Sequence, residues 1–279
     1  MKDLIVNFAP TGMVPTKEDT PYVPVEPSEI IEQVHEANEL GITMVHLHAR
    51  ENGVPTYKRK IYAKIFEGIR KYCPNLILCA SLSGRKFPDV IRRTEVLELK
   101  PDMGSLILSS LNFYQQESIN SPKTIIALIE EMRKHNVVPE LEVFDIGMIN
   151  YAKYLIKKQM LERPYYFNLI VGNISNTQAD PLQIQMMIDN LPEHSYWSLA
   201  GIGDCQLKVN TFAIAFGGGV RVGIEDNIWF DENRTIKAKN IELIKRIHKL
   251  AKIFNRKIMS SFDLGCRGFY NDTNTDTEI

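Results

Sequence analysis

Short apolar runs bounded by turn residues alternate along the chain with longer stretches in which apolar residues recur at helical spacing, the patterns of buried strands and amphipathic helices. The runs predict strands over Leu4–Phe8, Met44–His48, Leu76–Ala80, Met103–Leu108, Val138–Phe144, Phe167–Val171, Tyr196–Ala200 and Gly219–Ile224. The periodic stretches predict helices over Pro27–Leu40, Lys58–Tyr72, Pro88–Leu97, Pro122–His135, Met148–Met160, Pro181–Leu191, Gln206–Phe216 and Thr235–Phe254. Several helices open on a proline after an oxygen-bearing residue, as at Ser121-Pro122 and Asp180-Pro181. Strict alternation of this kind predicts a single-domain (β/α)8 TIM barrel. An open doubly wound sheet would carry a glycine-rich fingerprint after its first strand, and Ala9-Pro-Thr-Gly12 is not one. The barrel is expected over residues 1–258. An extension over 259–279 follows, partly disordered, with a polar tail from Asn271 to Ile279.

Composition narrows the partners. A chain of 279 residues, 44% hydrophobic, can bury one large core. A net charge of −1 offers no field of one sign for nucleic acid or an acidic membrane. Cys73, Cys79, Cys205 and Cys266 lack Cys-x-x-Cys spacing and read as reduced thiols. The apolar run Leu4–Phe8 is too short for a signal-peptide core or a membrane span. The expectation is a soluble cytoplasmic protein.

The most informative chemistry is His46-Leu-His48. Residues two apart on a strand face the same way, so both imidazoles would project together, as half a zinc site. Far downstream, Arg221, Gly223 and Glu225 share one face of the predicted last strand, with Asp226 just beyond. Glu225 can complete a set of two histidines and a carboxylate that leaves one metal position open. Arg221 would keep Asp226 ionised and oriented as a general base. His35, His135, His194 and His248 fall on helices or before a strand, so they do not compete for the ion. Ser81-Leu-Ser-Gly-Arg85 could offer hydroxyl and guanidinium donors to an anion. Glu142 is a partner for the inner residues, since an inward glutamate is costly unless paired. The loop from Ala200 through Gly201 to Asp204 could cradle a carboxylate or phosphate.

Ala9-Pro-Thr-Gly12, His46-Leu-His-Ala-Arg50, Ser83-Gly84, Lys100-Pro-Asp-Met103, Leu111-Asn-Phe113, Pro139-Glu-Leu-Glu-Val143 and Val220-Arg-Val-Gly-Ile-Glu-Asp-Asn227 together resemble the β-keto acid cleavage enzymes. The resemblance implies a zinc-dependent barrel that condenses a β-keto acid with acetyl-CoA, giving acetoacetate and a new acyl-CoA by a retro-Claisen step. It implies His46, His48 and Glu225 as metal ligands, and Asp226, Arg221 and Ser83 as catalytic residues. Thr11, Ser81, Glu142 and Gly201 are the expected substrate contacts. Members that take an amino-substituted keto acid carry a glutamate after the first strand, where this chain has Val14, so a neutral or apolar substrate tail is expected. A closed homo-oligomer, a tetramer, is the assembly expected of such barrels. Two other readings fit the same residues: a metal-dependent aldolase or lyase that needs no coenzyme A, and a silent barrel that binds a small carboxylate or acyl-CoA.

Overall fold

The computed structural model describes residues 3–271. Among them, eight parallel strands close into a barrel in chain order. They are β1 (Val6–Phe8), β2 (Met44–Leu47), β3 (Ile77–Ala80), β4 (Met103–Ile107), β5 (Val138–Val143), β6 (Tyr166–Val171), β7 (Tyr196–Gly201) and β8 (Gly219–Val222). Outside run α1 (Pro27–Leu40), α2 (Arg59–Tyr72), α3 (Val90–Thr94), α4 (Pro122–Lys134), α5 (Ile146–Lys157), α6 (Pro181–Asp189), α7 (Gln206–Ala215) and α8 (Asn240–Ile253). The (β/α)8 architecture read from the hydrophobic pattern is the one observed. No helix among the described residues is long and apolar enough to cross a membrane.

Helix starts follow side-chain chemistry. The Ser121 hydroxyl accepts the Thr124 N–H, and the Asp180 carboxylate accepts the N–H groups of Leu182 and Gln183, each ahead of a proline. Three of the boundaries that differ from the periodic reading bear on the architecture. α3 is one short helix continued by a 3-10 turn over Glu95–Leu99. α8 begins at Asn240 rather than Thr235, because the Asp231 carboxylate captures the N–H groups of Thr235 and Ile236 and holds that stretch as a turn. β8 stops at Val222, for a reason that belongs to the site below.

Alternation along the strands sorts side chains into two cores. One face packs under the helices, with Phe8, Leu47, Leu78, Leu106, Leu141, Leu169, Leu199 and Val220 buried there. The other face fills the barrel. Its lower layer is apolar, with Ile5, Met44, Ile77, Met103 and Tyr166 packed against Met259, Leu264 and Phe269. Those last three residues lie beyond the predicted barrel boundary. Residues 259–271 fold as a short helix, α9 (Ser261–Leu264), and a π turn (Gly265–Phe269), because Leu264 and Phe269 close the barrel floor. Sequence periodicity is silent there because four residues cannot display a helical repeat. The remainder of the polar tail, residues 272–279, lies outside the described residues.

Candidate metal centre and active site

His46 lies on β2 and His48 just past its end, and strand geometry turns both rings to one side, with their Nε2 atoms 3.2 Å apart. The partner carboxylate arrives differently from expectation. Gly223 comes so close to β1 that a Cβ there would lie 1.9 Å from the Ala9 carbonyl oxygen. The strand therefore ends, and the chain turns with the Asp226 N–H donating to the Gly223 carbonyl. Gln206 Nε2 donates to that same carbonyl at 3.0 Å, and the Ile224 N–H donates to Asn240 Oδ1 at 2.8 Å, which fixes the turn. In a continued strand, Glu225 and Asp226 would face opposite ways. The turn brings both into the cavity, where Glu225 Oε1 stands 3.1 Å from His48 Nε2 and 4.0 Å from His46 Nε2.

Arg221 organises the carboxylates. Its Nε and Nη2 clasp the two oxygens of Asp226 at 3.0 and 3.2 Å, Nη2 meets Glu225 Oε1 at 2.7 Å, and Nη1 meets Glu142 Oε1 at 3.2 Å. Burial would lower the Arg221 pKa, but Asp226, Glu225 and Glu142 hold it well above the ordinary value. For Asp226 burial wins over the pull of Arg221 and raises the pKa, which makes this carboxylate a better proton acceptor than a solvated one. Burial also raises Glu142, to about 7. Glu225 goes the other way: against the effect of burial, Arg221 and both histidines take it well below the usual carboxylate range.

Beneath the histidines lies a residue for which the sequence reading assigned no role. Glu140 is fully buried, and its Oε2 accepts from His46 Nδ1 at 2.6 Å and from Cys79 Sγ at 3.2 Å. Its Oε1 accepts from Asn7 Nδ2 at 2.7 Å and from Asn168 Nδ2 at 3.3 Å. Burial would lower the His46 pKa, but Glu140 and Glu225 raise it to about 9, so an incoming ion would displace the Nε2 proton while Nδ1 keeps its proton on Glu140. Burial lowers the His48 pKa to about 4, so its ring presents a lone pair at neutral pH. Glu140 and Glu142 share one face of β5, and that spacing was the available signal; the structure gives Glu142 to Arg221 and Glu140 to His46.

These residues fit a small divalent ion. Ligands about 2.0–2.1 Å from a tetrahedral zinc are separated by roughly 3.3 Å, close to the 3.1 and 3.2 Å found between His48 Nε2 and its two neighbours. The second oxygen of Glu225 is buried without any hydrogen-bond donor, which is costly for a carboxylate unless a cation is there. Among the described residues, His46, His48 and Glu225 form one of two groups whose donor atoms converge enough to hold a metal; the other is His46, Cys79 and Glu140, which share the Glu140 network.

Above the three donors opens a cavity of about 720 Å³. Ser81, Ser83, Arg85, Glu142, Arg221 and Asp226 are its inner polar groups, and Ile107, Phe113, Phe144, Ile170 and Trp229 give it apolar walls. Val14 stands at its mouth, 54% exposed. Two expected contacts do not reach it. Thr11 is fully enclosed, its carbonyl bound by Arg50, and Gly201 packs against the backbone of Gln206, leaving Ile202 and Gly203 to line the cavity instead. After β4 and β5, Ser110 and Asp145 serve the scaffold: Ser110 accepts the Asn120 N–H, and Asp145 caps α5.

The chain is 35% identical to a 3-keto-5-aminohexanoate cleavage enzyme of Fusobacterium nucleatum, over 92% of this chain and 94% of that protein. It is 32% identical to a 3-oxoadipate:acetyl-CoA acetyltransferase of Cupriavidus necator, over 91% of this chain and 90% of that protein. Among solved structures, apo ObcA superposes with a TM-score of 0.76 at 19% identity, over 90% of this chain and 66% of that one, a likeness of fold. The sequence profile of the β-keto acid cleavage enzymes matches residues 3–264, nearly the whole barrel and its floor. The chain belongs to the β-keto acid cleavage enzyme family.

Proposed function

We propose that this protein is a zinc-dependent enzyme that cleaves a β-keto acid with acetyl-CoA, yielding acetoacetate and a new acyl-CoA. The observation that carries the reading is the sharing of one cavity by three converging donor atoms and a carboxylate base clasped by an arginine. Zinc held by His46, His48 and Glu225 would supply Lewis-acid polarisation of the keto acid's oxygens. Asp226, oriented by Arg221, removes a proton from the carbon between the keto group and the carboxylate. The carbanion attacks the acetyl thioester, and the C–S bond breaks to release the coenzyme A thiolate. The thiolate then attacks the original keto carbon. Cleavage of the adjacent C–C bond gives acyl-CoA and acetoacetate, with the proton on Asp226 returned to the acetoacetate carbon. Ser83, on the cavity wall beside Ser81, helps hold the substrate carboxylate. The relatives' names support acetyl-CoA as the co-substrate and β-keto acids as the class. Val14 leaves no carboxylate at that position for a substrate ammonium, so amino-substituted acids are poor substrates of this chain.

The test is incubation of metal-analysed protein with a library of β-keto acids, with and without acetyl-CoA, scored by mass spectrometry. Acetoacetate and a matching thioester that appear only with acetyl-CoA support the reading. Cleavage without acetyl-CoA would favour a lyase, and a fastest rate on amino keto acids would remove the argument from Val14.

A further inference from the structure

Among the described residues, the cavity contains one cation with no counterion. Arg221 is bridged to three carboxylates and Arg234 to Asp204 at 3.3 Å. The Arg85 guanidinium has no hydrogen-bond acceptor and no carboxylate oxygen within 4.0 Å among the described residues, although it lines the same cavity as His46, His48 and Glu225. This half-buried guanidinium keeps its donors free for an anion that enters the cavity. It is nonetheless held in place. It lies over the face of Phe113, 3.4 Å from the ring centroid, and Phe113 packs edge-on against Phe144 at 5.7 Å. Its own backbone N–H donates to Ser83 Oγ, which ties the side chain to the loop that carries the site serine. From β4 only Ile107 lines the cavity, and it offers no hydroxyl.

We infer that Arg85 receives a carboxylate of the β-keto acid, acting as the specificity-determining anion receptor of this cavity. The inference rests on the cavity being a β-keto acid site. A planar guanidinium matches a carboxylate with two parallel hydrogen bonds, and stacking on Phe113 removes much of the conformational freedom that binding would otherwise have to freeze. Coenzyme A phosphates are the weaker match. Arg85 is close enough to Glu225, Glu142 and Asp226 to feel their charges, whereas a thioester delivered to those residues keeps its phosphates a pantetheine arm away. The carboxylate is either the one next to the reacting carbon or a second one at the far end of the substrate; an anionic tail would then take the place of the neutral tail that Val14 alone suggests.

Calorimetric titration of the zinc-loaded protein with acetoacetate, which has one carboxylate, and with 3-oxoadipate, which has two, tests this without acetyl-CoA. In Arg85→Gln, Kd is expected to rise about tenfold or more, with Arg85→Lys recovering part of the loss. A rise for both acids places the reacting carboxylate on Arg85, and a rise for 3-oxoadipate alone places the second one there. Thermal melts and zinc content of the variants should match the parent. Kd values within twofold of the parent for both acids, no binding by the parent protein, or weakened binding of acetyl-CoA alone would overturn the inference. Because binding is read apart from turnover, a parent protein that binds the acids but fails to cleave them would sink the cleavage reading and leave the role of Arg85 standing.

Discussion

Replacing Glu140 by Gln isolates the charge beneath the proposed metal site. Both oxygens of Glu140 accept hydrogen bonds, one from His46 Nδ1 and Cys79, the other from Asn7 and Asn168. A glutamine has one oxygen and one NH2. The oxygen can stay on His46, and the NH2 then faces the two asparagines. Their Oδ1 atoms are buried without partners, so flipping both amides gives the new donor its acceptors and the fold survives. What is lost is the charge behind His46. Hydrogen bonds to a charged group contribute about 1.5–3 kcal/mol against about 0.5–1.5 for neutral pairs. The difference, about 1–1.5 kcal/mol, corresponds to roughly a tenfold loss of zinc affinity at ~1.4 kcal/mol per decade. Competition with a chelating dye measures this directly, with circular dichroism confirming the fold. Zinc affinity within twofold of the parent in a folded Glu140→Gln protein would refute the claim that the carboxylate tunes His46.

Three further outcomes follow from the geometry. Asp226→Asn should bind zinc as the parent does and lose turnover by about a hundredfold or more, the scale of a missing general base; near-normal kcat would remove Asp226 from the reaction. Gly12→Ala should lower zinc occupancy in a protein that still folds, because φ at Gly12 is 66° and a Cβ would lie 2.6 Å from Glu225 Cγ, pushing that ligand aside. Metal analysis after dialysis checks it, and full occupancy would contradict it. Phe269→Ala should cost roughly 3–5 kcal/mol, since the ring is fully buried edge-on against Tyr166 and Tyr196. A melting temperature within two degrees of the parent, taking two degrees as about the least shift for 1 kcal/mol, would mean that the barrel floor carries little load.

The fold was legible because strands and helices differ in period, and that alternation runs unbroken from Val6 to Ile253. His46 and His48 were legible for the same reason, since a spacing of two has one meaning on a strand. The rest depended on tertiary contact. Nothing local distinguishes Glu140 from Glu142; only the rows opposite them decide that one meets His46 and the other Arg221. Thr11 and Gly201 sit in motifs with the right chemistry, yet Arg50 and Gln206 occupy the space around them. β8 ends where Gly223 packs against Ala9, from the other end of the sequence, and no window of residues contains both.

The position of β1 has a consequence for assembly. It is the stave between β8 and β2, and it is the place where the cylinder must join up. Its neighbour on one side supplies both imidazoles and its neighbour on the other supplies Glu225, so an ion bound by all three spans the seam like a clasp. Locking that seam and completing the ligand set are then one event. Withdrawal of the ion should loosen first the stretch where the beginning and the end of the chain meet.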